Sequence, residues 1–555
     1  MIAAVSVSTG IRSARRAGRG TRARAWAARS LAATCPEAQL LWAAVVIFVL
    51  VSLWWLTQDD RVPDFDSGLH MSYAITYHHD LAAGHLSGPW TDYNSYPPLV
   101  HLLGALSIFL VGIHPMAMIM ASNVVFVPLL AFGCYGTGRF VAGPRAGLLA
   151  ALFGLGTPMF VSMMHAYDLD PPQAAMVAIS VWAILASRRL QRVWVSALAG
   201  ALCGLALLTK ETSVVFLAGL LLVVLVRGGW RSWPGLVAFI FTLENVAGPW
   251  YMFHVTQILS SLTSLGGVAP NPIQAPPRFS AANIGWYFWN LLNEQTLSVF
   301  GALFFIGAVL ALWQCVRHRV SSENVYPELL GGAVVSYLGM TYLTHKDPRY
   351  TLPALVYVAV LGTSWIVSIH RLLIRRTIQG AVLVLAALYL AGMSFGIGGA
   401  VRIALPGSHS TIIYPRQLTL YETSGWVRGG PVTDGHVLSL LEGLRSTGIT
   451  RMQLYTGADQ IDFNANGIGP LASAAGIYIA PVLPPDIDNA YLFVHTPRPG
   501  DPRPCQTLSD GEGIYVARGD ITGLAPPTLS NPAKPSQTYT LVCPGRRPQT
   551  THPAG

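Results

Sequence analysis

From Leu40 to Ile397 the sequence is a succession of long apolar runs parted by short charged stretches, and this alternation limits the possible folds severely. A helix of about 20 apolar residues matches the ~30 Å hydrocarbon core of a bilayer. Inside that core every backbone N–H and C=O must be bonded within the protein, so runs of this kind are read as membrane-spanning helices. The composition agrees: of 555 residues, 52% are hydrophobic and only 11% charged, with a mean hydropathy of +0.46. Soluble chains carry about a quarter charged residues. The net charge of +9 does not point to nucleic acid, because the arginines fall in clusters between apolar runs and form no single face. The bilayer is the expected environment, and no nucleic-acid partner is expected.

Charge sidedness sets the topology. Residues 1–38 hold Arg12, Arg15, Arg16, Arg19, Arg22, Arg24 and Arg29 before the first apolar run, Leu40 to Leu56, and read as a basic cytoplasmic tail followed by a signal-anchor helix. Further apolar segments run from Pro98 to Ile113, Met116 to Gly133, Ala146 to Met163, Ala174 to Ala186, Val193 to Leu208, Ser213 to Val226, Trp233 to Met252, Leu297 to Cys315, Leu329 to Leu343, Thr351 to Ile369 and Gly380 to Ile397. If all cross, the clusters Arg139/Arg145, Arg188/Arg189/Arg192, Arg227/Arg231, Arg317/Arg319 and Arg371/Arg375/Arg376 fall outside, against the positive-inside trend. If Pro98 to Ile113, which carries His101, is a juxtamembrane or re-entrant helix, all five clusters move inside. That leaves about eleven crossings in a helical membrane domain over residues 39–398. The outer loops are then 59–97, 164–171 and 254–290, with Thr209 to Thr212 and His345 to Arg349 on the same face.

Residues 399–520 differ in material, being richer in Pro and Gly with turn signals such as Gly429-Gly430-Pro431, and read as a small extracytoplasmic α/β domain. Helical spacing appears at Val437, Leu438, Leu440, Leu441 and Leu444, and strand-like runs at Met452 to Tyr455, Ala490 to Val494 and Gly513 to Ala517. Residues 521–555 are Pro/Ser/Thr-rich and expected to be loosely ordered. Outside the cytoplasm, Cys505 and Cys543 could form a disulfide or stay as thiols.

Chemistry-bearing residues gather on the outer face. The first outer loop contains Pro63-Asp64-Phe65-Asp66-Ser67-Gly68-Leu69-His70 and ends in Tyr96-Pro97-Pro98-Leu99. The second holds His165-Ala166-Tyr167-Asp168-Leu169-Asp170-Pro171-Pro172. A carboxylate there can take the proton of an attacking hydroxyl while a second orients it. Cations that break the positive-inside trend share the face: Lys210 in Leu208-Thr209-Lys210-Glu211-Thr212, and Lys346 and Arg349 in His345-Lys346-Asp347-Pro348-Arg349-Tyr350. They suit an anionic partner such as a lipid phosphate; headgroup snorkelling or salt bridges to Asp347 and Glu211 are the alternative. Glu244 lies inside an apolar run, where an ionisable group is either a functional candidate or a protonated, hydrogen-bonded packing residue. The outer-face histidines show no metal-ligand spacing, so no cofactor is expected, a divalent metal being left open. The sequence also lacks a phosphate-binding Gly-rich loop, which favours a lipid-linked donor over a nucleotide.

In their order and sidedness these motifs resemble the GT-C membrane glycosyltransferases, above all the protein O-mannosyltransferase-like family that includes the lipid A aminoarabinose transferase. The resemblance covers Leu40 to Ile397. It implies an inverting transfer of a sugar from a polyprenyl-phosphate carrier to an acceptor, whether protein, lipid or glycan, outside the cell membrane. By position it implies Asp66 as general base, Asp168 or Asp170 as second acid, and Lys210, Lys346 and Arg349 as holders of the donor phosphate. Tyr96 and Tyr350, with His70, His165, Glu244 and His345, are candidates for the substrate or lipid groove. The family shows an Asp-Glu pair in the first loop, whereas here Ser67 follows Asp66 and Asp64 lies two residues upstream, so either acid could be the base. Two other classes remain open. A secondary transporter would place its site at the midplane between repeated halves. A non-catalytic scaffold displaying the tail would leave the two acidic loops pointing apart.

Overall fold

The computed structural model describes residues 36–59, 62–91, 96–265, 276–317, 324–343, 346–398, 401–404, 410–414, 437–446, 450–456, 465–480, 491–494, 515–518, 540–542 and 549–550. Helices of ten or more residues are labelled α1–α16. In the membrane part these are α1 (Pro36–Gln58), α2 (Phe65–Ala82), α3 (Leu99–Val111), α4 (Pro115–Ala142), α5 (Pro144–Leu155), α6 (Asp170–Ala186) and α7 (Val193–Leu207). They continue as α8 (Ser213–Gly228), α9 (Trp233–Leu265), α10 (Ala281–Asn290), α11 (Leu297–Arg317), α12 (Tyr326–Tyr342), α13 (Leu355–Ser364) and α14 (Leu372–Phe395). Among the described residues six stretches are long and apolar enough to cross a membrane: Pro36–Gln58, Pro115–Ala142, Ser213–Leu259, Leu297–Arg317, Pro348–Ser368 and Leu372–Phe395. The protein is therefore a multi-pass membrane protein.

Which helices are central follows from where the apolar surface lies. α6 and α13 are buried along nearly their whole length, the pattern of helices that are apolar all round and enclosed by others. α1, α9, α11 and α14 instead expose Trp42, Ile47, Phe241, Met252, Val309, Trp313, Leu373 and Val384, an outer surface suited to lipid.

Three local differences from the sequence reading have physical causes. The first outer segment is not a loop: Asp64 caps α2, its carboxylate accepting from Ser67 N at 2.8 Å and from Ser67 Oγ at 2.7 Å. The apolar run Ala146 to Met163 divides at Gly156-Thr157-Pro158 into α5 and the short helix Pro158–Met163. Pro158, lacking an N–H, weakens continuation of the preceding helix but starts the next one well. The run Thr351 to Ile369 opens as a 3₁₀ helix, Pro348–Ala354, before becoming α13. The segment read as non-crossing forms α3, only 13 residues long. At 1.5 Å per residue that is about 20 Å, short of the hydrocarbon thickness.

The C-terminal part contains α15 (Val437–Ser446), α16 (Ala465–Ala474) and strands β1 (Val401–Ala404), β2 (Ser410–Tyr414), β3 (Arg451–Thr456), β4 (Tyr478–Ala480), β5 (Tyr491–Val494), β6 (Tyr515–Arg518), β7 (Thr540–Val542) and β8 (Gln549–Thr550). β1 and β2 pair antiparallel, and the other six form one sheet in the order β4-β3-β5-β6-β7-β8, parallel in β4-β3-β5 and antiparallel beyond. This is the expected small α/β unit. Two of its strands, β7 and β8, come from the Pro/Ser/Thr-rich stretch read as loosely ordered, and α16 was not foreseen. Cys505, Cys543 and the proposed bond between them lie outside the described residues.

Candidate active site

Five separate segments deliver the polar groups of one cavity of about 360 Å³, lined by Asp66, His70, Tyr96, Asp168, Leu169, Asp170, Lys210, Glu211, Thr212, Met340, Leu343, Arg349 and Tyr350. Asp66 and His70 stand four residues apart on α2, one helical turn, and so face the same way. Asp170 opens α6, where the unpaired N–H groups and the helix dipole favour a carboxylate. Lys210 comes from the turn between α7 and α8, and Arg349 from the 3₁₀ helix before α13, capped by Asp347 accepting from Arg349 N at 2.9 Å.

Arg349 ties the two acidic segments together. Its Nη2 donates to Asp66 Oδ2 at 2.5 Å and its Nη1 to Asp168 Oδ2, while Nε lies 3.4 Å from Asp347 Oδ2 and 3.8 Å from Asp170 Oδ2. A guanidinium, planar and permanently charged, is the side chain suited to bridging several carboxylates at fixed angles. Lys210 Nζ donates to Asp170 Oδ1 at 2.8 Å and sits 5.1 Å from the centre of the Tyr350 ring. The scaffold reading requires diverging acidic loops; here they converge on one arginine.

The tethers that hold this arrangement are amides. Gln173, buried on α6, donates to Thr212 Oγ1 at 2.9 Å and Ser213 Oγ at 3.1 Å, tying the Asp170 end of α6 to the Lys210 turn. Gln295, in a π-helical turn before α11, donates to Pro348 O and Thr351 Oγ1 on either side of Arg349. Asn123 on α4 donates to Met164 O at 2.8 Å, fixing the start of the second acidic segment. Nothing in the sequence marked these three residues, because an amide's partner is visible only in three dimensions.

Four carboxylates (Asp66, Asp168, Asp170, Glu211) face two cations (Lys210, Arg349) across this cavity. Burial pushes the Asp66 carboxyl above its ordinary range although Arg349 opposes the shift. Burial likewise pushes Asp170 up to about 6, against Lys210. Burial acts in the same direction on Asp168, but there Arg349, then His70 and Lys210, outweigh it and bring the carboxyl down to about 2. His70 is lowered to about 4 by burial and is therefore neutral near pH 7. Its Nδ1 lies 3.1 Å from His101 Nε2, and its ring meets Tyr96 edge-on at 4.9 Å.

Several candidates stand elsewhere. Lys346 does not line the cavity: its Nζ donates to Met340 O at 2.9 Å and Thr341 O at 2.7 Å and lies 5.0 Å from the Tyr287 ring. A lysine at a helix C-terminus neutralises the last carbonyls, here those of α12. Asp64 is occupied as the cap of α2. His165 is buried with its ring stacked on Trp55 at 4.2 Å, joining α1 to the second acidic segment. Glu244 is exposed on α9 and is not among the residues lining the cavity. His345 lies outside the described residues.

Residues 95–244 match the sequence model of a family described as dolichyl-phosphate-mannose-protein mannosyltransferase. Over that stretch the chain resembles this family. The matched residues include Tyr96, Asp168, Asp170 and Lys210, but neither Asp66 nor Arg349. Among solved structures, ArnT from Cupriavidus metallidurans bound to undecaprenyl phosphate is 19% identical over 63% of this chain and 64% of its own, with a TM-score of 0.45. The present chain thus spans just under two thirds of that relative. The same ArnT in the apo state is 17% identical over 78% of this chain and 73% of its own, at a TM-score of 0.46. An oligosaccharyltransferase from Archaeoglobus fulgidus, in complex with Zn and sulfate, is 12% identical over 81% and 68%, also at 0.46. No curated protein matches.

Proposed function

We propose that the protein is an inverting membrane glycosyltransferase that moves a sugar from a polyprenyl-phosphate carrier to an acceptor hydroxyl on the extracytoplasmic face. The observation that carries this reading is the bridge from Arg349 to Asp66 on one side and Asp168 on the other, with Lys210 beside it in the same cavity. Breaking a sugar–phosphate bond calls for a base on the acceptor and positive charge on the departing phosphate.

The roles follow from the environments. Asp66 is the base: it faces the cavity, whereas Asp64 is spent on the cap of α2. Asp168, firmly ionised, anchors Arg349, and Asp170 anchors Lys210. Because the Arg349 fork is already engaged by carboxylates, an arriving donor phosphate exchanges for Asp66 on Nη2 and leaves that carboxylate free to accept a proton. The acceptor oxygen then loses its proton to Asp66 and bonds to the anomeric carbon. The bond from that carbon to phosphate breaks on the opposite side, with inversion, and the polyprenyl phosphate departs with its charge held by Arg349 and Lys210. Tyr96 and Tyr350 flank the sugar.

The test is sugar release from a panel of radiolabelled polyprenyl-phosphate sugars by the full chain in nanodiscs, paired with mass spectrometry of cell-envelope glycans with and without the protein. Turnover of one donor and loss of one glycan are expected. Solute uptake into proteoliposomes without turnover of any donor would establish a transporter instead.

A further inference from the structure

The helix that carries Asp66 is gripped from outside the membrane domain. α16, from the C-terminal part, lies against α2, and the two meet backbone to backbone. Two glycines make this approach possible, and they do so reciprocally. A Cβ on Gly68 would be driven into the carbonyl group of Asn466 and to 2.5 Å from Gly467 N. A Cβ on Gly467 would be driven into the carbonyl oxygen of Pro63 and to 2.7 Å from Val62 Cγ1. Each segment therefore sets a backbone carbonyl where the other's side chain would begin. Backbone cannot swing aside as a long side chain can, so both positions demand glycine.

Two further details fit a docking purpose. Pro470 lies inside α16, and having no N–H it cannot bond the carbonyl four residues earlier, that of Asn466. That carbonyl is the one set against Gly68. The face of α16 with Gly467, Ile468, Pro470, Leu471 and Ala472 is buried, so the helix is seated. The two contacts, at Pro63 and Gly68, bracket Asp64 and Asp66 on the chain.

We infer that the C-terminal unit, through Asn466 and Gly467, is a positioning element for Asp66, setting the register and tilt of the first turn of α2 against Arg349. This deepens the proposed function and rests on its assignment of Asp66. A helix end held by backbone contacts on both sides of one residue cannot shift without moving that residue. A misplacement of about 1 Å at a reacting group can cost about a hundredfold in rate.

The experiment uses the full chain in nanodiscs. A Cβ at Gly469 would lie 3.8 Å from Ser72 Oγ, so the pair Ser72→Cys with Gly469→Cys should cross-link on oxidation. The expected results are that the bond forms in most molecules, detected as a linked peptide, and that the linked protein still transfers sugar. In that background Gly467→Leu should abolish the cross-link and lower kcat about a hundredfold with KM for the donor little changed. Gly467→Ala, which adds one methyl group and is the better helix former in isolation, should act in the same direction more weakly. Full kcat in a Gly467→Leu or Gly467→Ala protein that has lost the cross-link overturns the inference, as does failure of the unmutated pair to link. An Asp66→Cys protein adds a readout independent of transfer: its maleimide labelling rate should change on adding Gly467→Leu, and an unchanged rate overturns the inference. If the wild type transfers nothing, the proposed function fails, while cross-link and labelling still decide the docking.

Discussion

Asp64 and Asp66 are two residues apart and chemically alike, but one ends a helix and the other faces the cavity. Asp66→Asn should therefore lower kcat by about 10²–10⁴, the range for losing a general base. Asp64→Asn should leave most activity, because Asn caps a helix nearly as well as Asp. It should also move the pH profile. A base works only when deprotonated, so activity falls as pH drops through the Asp66 value, which lies above the ordinary 3.8. The charge of Asp64 is one of the causes that raise it, and removing that charge shifts the acid limb to lower pH. Stopped-time transfer assays between about pH 4 and 8 read this directly, and an unshifted limb in Asp64→Asn would remove Asp66 as its source. His70, lowered to about 4, stays neutral through most of that range, so His70→Gln should leave the limb in place even where it weakens binding.

Between elements, the face opposite the cavity has its own lock. Glu328, buried on α12, accepts from Arg189 Nε at 2.8 Å and Arg227 Nη1 at 2.5 Å, pinning the turn after α6 and the end of α8 to one carboxylate. Arg188, Arg189 and Leu190 in that turn have φ of 53°, 58° and 60°, a left-handed conformation that costs non-glycine residues about 1–2 kcal/mol each. The ion pairs and the bond from Ser232 Oγ to Arg189 O hold it there. Glu328→Ala strands two largely buried guanidiniums and should destabilise the protein by about 3–5 kcal/mol. The check is a lower thermal midpoint in nanodiscs, with the transfer rate per folded molecule unchanged. On the cavity side, Gln173→Leu removes both bonds to the Lys210 turn and should cost about 1–3 kcal/mol while raising KM for the donor.

For the whole molecule, the decisive quantity is which way the chain threads the bilayer. Treating α3 as non-crossing sends the arginine clusters inward and the cavity outward. Ser87→Cys, exposed beyond α2, should then react with a membrane-impermeant maleimide on intact cells. Gln191→Cys, exposed among the arginines after α6, should react only after permeabilisation. The reverse pattern would place the cavity in the cytoplasm and end the proposal of an extracytoplasmic acceptor.

Much of this is legible in the amino-acid sequence. Apolar length depends only on local composition, so the multi-pass membrane character and the short α3 could be read from the chain, together with the segments that hold Asp66, Asp168, Asp170, Lys210 and Arg349. What those segments do to one another could not be read, because contacts across 40 to 283 residues of chain are set by packing and carry no local pattern. Only the tertiary structure set Asp66 on the cavity and Asp64 at the cap of α2, and placed Lys346 at the end of α12 and His165 in a stack on Trp55. It alone brought α16, unremarked in the sequence, onto the helix of Asp66. The sequence by itself determined the membrane and the cast of charged residues, because the bilayer selects on hydropathy. Tertiary structure decided which of those charges meet, because a pairing needs two surfaces and a sequence displays one at a time.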